Sequence, residues 1–193
     1  MKKVMVSLAV SAAVLAFPTF ASAALLSFEG VAPSGSVVNV GPVTPYLEAG
    51  FTLTPTDNNS AVFDSAASVD FSGDTTDFFG FAEDNVITLT GPSAFNLGSL
   101  WLGPSTISAG SASITIVGTL LGGGTLTQTF SGLTAATLES LNWSNLSSVQ
   151  FRTTDDSALD DISVTVPEPS LLVLLMTGGM AFIAWRRRTQ HAS

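Results

Sequence analysis

The middle of this sequence predicts an all-β fold, an antiparallel β-sandwich, and three observations predict it. Short segments alternate apolar and polar residues with the period of two that turns one face of a strand toward a core. Glycine, serine, threonine and proline, the turn formers, fill the intervals between those segments. Helix signals, apolar residues three and four apart behind a capping residue, are scarce. Around the sandwich, each end of the chain carries an apolar run beside basic residues, which predicts an N-terminal signal-peptide helix and a short C-terminal transmembrane helix.

The expected domain, residues 24–166, is long enough to bury about 70% of its unfolded surface. Its clearest strands are VITLTG (Val86 to Gly91), SITIVGTL (Ser113 to Leu120) and TLTQTF (Thr125 to Phe130). Gly122-Gly123-Gly124 separates the last two and reads as a hairpin turn. A phosphate-cradling loop would need a following helix and a lysine, and neither is present. Further strands are expected in LLSFEG near Leu25, GFTLTP near Gly50, FNLGSLWL near Phe95, SVQFRT near Ser148 and DISVTV near Asp161. Residues 134–141 are expected to hold at most one helical turn, and no repeat of fixed period is evident.

Charge excludes several classes of function. Of six basic residues, Lys2, Lys3 and Arg186 to Arg188 sit at the ends, so between Ala24 and Val166 fourteen carboxylates face the single Arg152. Such a surface repels phosphate backbones, which excludes nucleic acid as a partner. Cysteine is absent and the one histidine, His191, lies in the tail, so thiolate chemistry, histidine bases and His-ligated zinc are not expected of the domain. Paired carboxylates hydrolyse glycosides at separations of about 5–9.5 Å, but nothing in the sequence selects a pair. No GxSxG occurs either. The domain is expected not to be an enzyme.

The termini read as addresses. Lys2 and Lys3, the apolar run Val4 to Phe17 and the small residues Ala21-Ser22-Ala23 form a secretory signal, with cleavage by signal peptidase expected after Ala23, leaving Ala24 first. At the other end Leu171 to Trp185 is uncharged; as a helix it spans about 22 Å, against about 30 Å of hydrocarbon, a deficit that Trp185 and snorkelling arginines reduce. Arg186, Arg187 and Arg188 would stay cytoplasmic and leave everything before Pro167 outside.

VPEPS, then a short Leu/Gly-rich span, then an arginine cluster resembles the PEP-CTERM sorting signal over Pro167 to Ser193. The resemblance implies a Gram-negative type of cell envelope and processing by an exosortase, a membrane-embedded cysteine peptidase. Pro167, Glu168 and Pro169 match its recognition triplet, and Arg186, Arg187 and Arg188 its retention cluster. Two prolines keep that backbone extended and deny it hydrogen bonds, which suits a protease groove. The expected role is a surface or extracellular-matrix protein with exopolysaccharide as partner. A permanently anchored adhesin, its tail uncleaved, is the alternative.

The domain also resembles lectin-like, carbohydrate-binding jelly rolls, through an opening SFEG, YLEAGF from Tyr46 to Phe51, FNLGSLWL, and a closing ALDDISV. That resemblance implies adjacent first and last strands, with a structural calcium where an acidic residue of each meets: Glu29 from the first, and Asp155, Asp160 and Asp161 from the acidic cluster near the last. Calcium takes six to eight oxygens, which such a cluster supplies in part. Adjacent strand residues point to opposite faces, so Asp160 and Asp161 both reach one ion only if the strand has not yet begun. A solvated acidic loop explains the same residues.

A second acidic patch, Asp70, Asp74, Asp77, Glu83 and Asp84, is interleaved with Phe71, Phe78, Phe79 and Phe81. It reads either as a sugar platform or, more simply, as core phenylalanines with carboxylates in turns. Trp101 is expected in the core and Trp143 half exposed. The triplets at Asn58, Asn142 and Asn145 fit glycosylation acceptors but read as turns.

Overall fold

In the computed structural model the described residues are 22–67, 71, 76–105 and 111–167, and they fall within one compact unit, 21–167. The signal-peptide helix, Ala21, the transmembrane helix over 171–185, Glu168, Pro169 and Arg186 to Arg188 lie outside them. Among the described residues no helix is long and apolar enough to cross a membrane.

Among the described residues twelve strands pair antiparallel throughout. They are β1 (Ser22–Leu26), β2 (Val37–Val40), β3 (Tyr46–Glu48), β4 (Phe51–Pro55), β5 (Ser60–Phe63) and β6 (Phe78–Phe81), followed by β7 (Val86–Pro104), β8 (Ala112–Leu120), β9 (Thr125–Leu133), β10 (Thr137–Thr153), β11 (Ser157–Asp160) and β12 (Ile162–Val166). Two long strands carry both layers of the sandwich. The first half of β7 pairs with β4 and with the end of β10, which continues to β8 and β9. Its second half pairs with the start of β10 and with β11, which continues to β6, β5 and β2. Between the layers lie Leu53, Val62, Phe79, Leu89, Leu102, Val149, Phe151 and Leu159, all fully buried.

VITLTG and FNLGSLWL are therefore one strand, not two. Gly91-Pro92 bends it without ending it: a Cβ on Gly91 would stand 2.8 Å from the Phe51 ring and 3.1 Å from Phe95, so only glycine lets β7 close over that pair. The two rings meet edge to face at 5.3 Å. The helical turn allowed within 134–141 does not form, since β10 begins at Thr137 and pairs across β7 from Leu102 to Ser99. β10 instead shifts register after Ser140 and again around Leu146, with Asn142 and Asn145 in the left-handed region at φ 52° and 59°. Two of the asparagine triplets are thus strand bulges, whereas Asn58 and Asn59 lead into β5.

The glycine hairpin between β8 and β9 forms as expected, closed by Gly123 N–H on the Leu120 carbonyl at 3.0 Å. First and last strands are neighbours, with Leu26 opposite Ile162 and Ser22 opposite Val166. β1 is shorter than expected. It stops at Leu26 because Phe28, fully buried, turns inward at φ 60° and Gly30 follows at φ 70°, which leaves Glu29 exposed in a turn. Trp101 leaves the main core as well: Leu100 and Leu102 face it, so alternation sends Trp101 to the opposite face with Phe71 and Phe78.

Candidate functional site

The end of β11 builds an acidic corner. Asp160 is 1% exposed; its Oδ2 accepts from Thr76 Oγ1 at 2.8 Å and its Oδ1 from Asp161 N at 2.7 Å. Asp161 is at φ 47° in the link between β11 and β12, so strand alternation is reset between the two aspartates. Asp77, also buried, accepts from Gly30 N at 2.9 Å and Ser65 N at 3.1 Å, while its own N–H donates to Glu29 Oε1 at 3.2 Å. Glu29 and Asp160 are thus attached to adjacent residues, 77 and 76. Glu48, on β3, accepts from Tyr46 OH at 2.7 Å and from Phe28 N at 3.4 Å. Burial first, then the hydrogen bond to Glu48, then the charges of Glu48 and Asp160, push the Tyr46 phenol above its ordinary value.

Asp155 sits elsewhere. It belongs to the turn at the other end of β11, where its N–H meets Thr153 Oγ1 at 3.3 Å and its carboxylate accepts from Asp156 N at 2.8 Å. Among the described residues no three carboxylates or imidazoles stand at metal-holding spacing. A cation at the corner would need carbonyl or hydroxyl oxygens beside two carboxylates, a donor mixture that suits calcium. The sequence places Asp77 in a different patch and names Tyr46 and Glu48 only within YLEAGF, so it misses that all three meet at this corner. Only the YLE alternation hinted that Tyr46 and Glu48 share a strand face.

A second feature is a groove of about 220 Å³ over β2, β5 and β6, lined by the amides of Asn39, Asn58 and Asn59, the ring of Phe63, Gly80 and Asp156. Register places Asn39, Ala61 and Gly80 in one cross-strand row, so its floor is made of small side chains. Phe63 stacks on Phe78 at 5.2 Å and lies so close over Gly80 that a Cβ there would be 2.6 Å from the ring. Of the second acidic patch, Asp70 and Asp74 lie outside the described residues; Phe71, Phe78, Phe79 and Phe81 are all buried and offer no ring to a sugar, because the alternation of β6 supplies both apolar clusters.

The third feature is the exit of the chain. β12 carries Thr165 and Val166 to the edge of the sandwich, and Pro167 beyond it is exposed.

Comparison with known proteins bears on this third feature. No curated protein sequence matches the chain. Among solved structures it is similar to TmCBM61 bound to β-1,4-galactotriose (9% identity, TM-score 0.36, 60% of this chain and 88% of that one). It is also similar to the arabinose-bound α-L-arabinofuranosidase MgGH51 (17%, 0.40, 72% and 26%). A third likeness is to the Clostridium thermocellum xylanase 10B CBM22-1-GH10 modules with xylohexaose (13%, 0.36, 76% and 28%). At these scores the likenesses carry no argument about ligand or activity. Residues 165–188 match the family model of the PEP-CTERM protein-sorting motif. Beginning on the last strand of its sandwich, then, this chain carries a PEP-CTERM protein-sorting motif.

Proposed function

We propose that this chain is an exported bacterial protein of the cell envelope or extracellular matrix, processed at its C-terminal signal by an exosortase after signal peptidase has removed the N-terminal one. The helix over 171–185 is a temporary anchor, and the sandwich acts without catalysis, in association with exopolysaccharide. The observation that carries the reading is position: the sorting motif starts on the last strand of a folded all-β unit, and its proline is exposed. Intact-mass analysis of the exported protein tests it. A C-terminus close to Pro167 is the expected result; retention of Arg188 refutes processing and leaves the anchored adhesin.

A second reading, a carbohydrate-binding module with one structural calcium, is favoured by the acidic corner and the groove. Glu48 and Asp160 both act on the Tyr46 phenol, and Glu29 is tied to the segment that Asp160 holds. Glu48 and Asp160, with carbonyl or hydroxyl oxygens beside them, would hold the ion, which would supply charge neutralisation and rigidity there. In the groove, amides offer both donors and acceptors to sugar hydroxyls, and the Phe63 ring offers an apolar face. A glycan array run with and without chelator is expected to show binding that Asn58→Ala and Phe63→Ala remove. Silence under both conditions refutes this reading.

A further inference from the structure

The end of the expected export signal and the start of the sorting motif meet across one strand pair. Thr165 and Val166, which end β12, are the first two residues of the sorting motif. Thr165 is held from both sides: it pairs with Ala23 of β1 and with Asn96 of β7, and Asn96 Nδ2 donates to its Oγ1 at 3.2 Å. Val166 pairs with Ser22 of β1, and the β7 pairing stops at Thr165. Ser22 and Ala23 are the last residues of the expected export signal. A cut after Ala23 removes both, while Ala24, Leu25 and Leu26 keep their partners Val164, Ser163 and Ile162.

We propose that removal of the export signal unlocks the upstream end of the sorting motif. Peptidases take their substrates extended, adding the substrate backbone as a strand. A segment whose alternating backbone groups serve ladders on its two sides must first open from the sheet. In the precursor, Ser22 and Ala23 close the outer side of Val166 and Thr165, so Pro167 is open to a peptidase and these two are not. In the cut chain Val166 is unpaired and Thr165 is held by β7 alone. The same strand pair thus orders the two events, N-terminal cleavage first. The inference rests on the processing reading above, since it takes the motif as a peptidase substrate.

The test compares the full precursor with the chain beginning at Ala24, both in detergent micelles, using an endopeptidase that cuts before bulky apolar residues. Early products are read by intact mass. Losing the two strand pairs at this end of β1 predicts that cleavage between Thr165 and Val166 is about tenfold or more faster in the shorter chain. Ser22→Pro with Ala23→Pro in the precursor, which removes both N–H groups from the end of β1 without any cut, is expected to accelerate it similarly. Equal rates in precursor and shorter chain overturn the inference. In cells, blocking the N-terminal cut with Ala23→Gln is expected to delay C-terminal trimming; trimming at an unchanged rate also overturns it. If the unaltered chain keeps its tail in cells, the sorting reading fails, and the comparison in micelles still decides the coupling.

Discussion

Alkaline titration probes the acidic corner, because Tyr46 is the only tyrosine in the chain. Its hydroxyl is buried against Glu48 Oε2 at 2.7 Å, within the field of Asp160, and all these effects disfavour the phenolate. The folded pKa therefore lies above the unfolded one, about 10. Below that value both states keep the proton and stability is unaffected. Above it the unfolded chain releases the proton and the folded one retains it, so stability falls by about 1.4 kcal/mol per pH unit. At pH 12 the domain is expected to be about 2.7 kcal/mol less stable than at pH 9 from this group alone. Tyrosinate absorbance should then rise only together with loss of the β-sheet circular dichroism signal. Tyr46→Phe should flatten the slope of stability between pH 10 and 12, and should cost about 1.5–3 kcal/mol below pH 10, where both states of Tyr46 keep the proton, through the lost bond to a carboxylate. Reversible ionisation near pH 10 with the sheet signal intact would show that the phenol is not buried against Glu48.

The other expectations concern packing and the corner. Phe95→Ala removes a fully buried ring from the bend of β7 and should cost about 3–5 kcal/mol in urea unfolding. Gly118→Ala places a methyl 2.8 Å from the Trp143 ring and should cost about 1–3 kcal/mol while shifting tryptophan fluorescence to longer wavelength. Asp77→Ala strands the N–H groups of Gly30 and Ser65, with an expected loss of about 2–4 kcal/mol by thermal unfolding; Asp77→Asn, which keeps one acceptor, should lose less. If the corner holds calcium, the ion at about 100 times its dissociation constant adds about 2.7 kcal/mol, and a chelator removes it. Asp160→Asn should abolish that difference, and an unchanged chelator effect would place the ion elsewhere.

Period-two alternation made β4, β8, β9 and β12 legible, because a strand with one buried face must repeat that way. β2, β5, β6 and β11 were not legible. β6 and β11 are buried on both faces and have no alternation to show, and β2 and β5 are four residues each. The single strand β7 was read as two because Gly-Pro ordinarily marks a turn; here the packing of Phe51 against Phe95 uses the glycine for clearance. The asparagine bulges of β10 escaped for a similar reason. Register is set by partners, which a local reading does not contain.

The sequence by itself determined the all-β class and the sorting motif. Each depends on composition or on residues adjacent in the chain: an arginine cluster or a proline pair keeps its chemistry however the rest folds. Only the tertiary structure decided which acids share a corner. It sent Asp155 to the far end of β11 and brought in Glu48 and Asp77, residues 112 and 83 positions from Asp160. It also laid Ser22 beside Val166. Those neighbours are chosen by strand pairing across the sheet, a long-range choice that buried apolar area drives and no local pattern encodes.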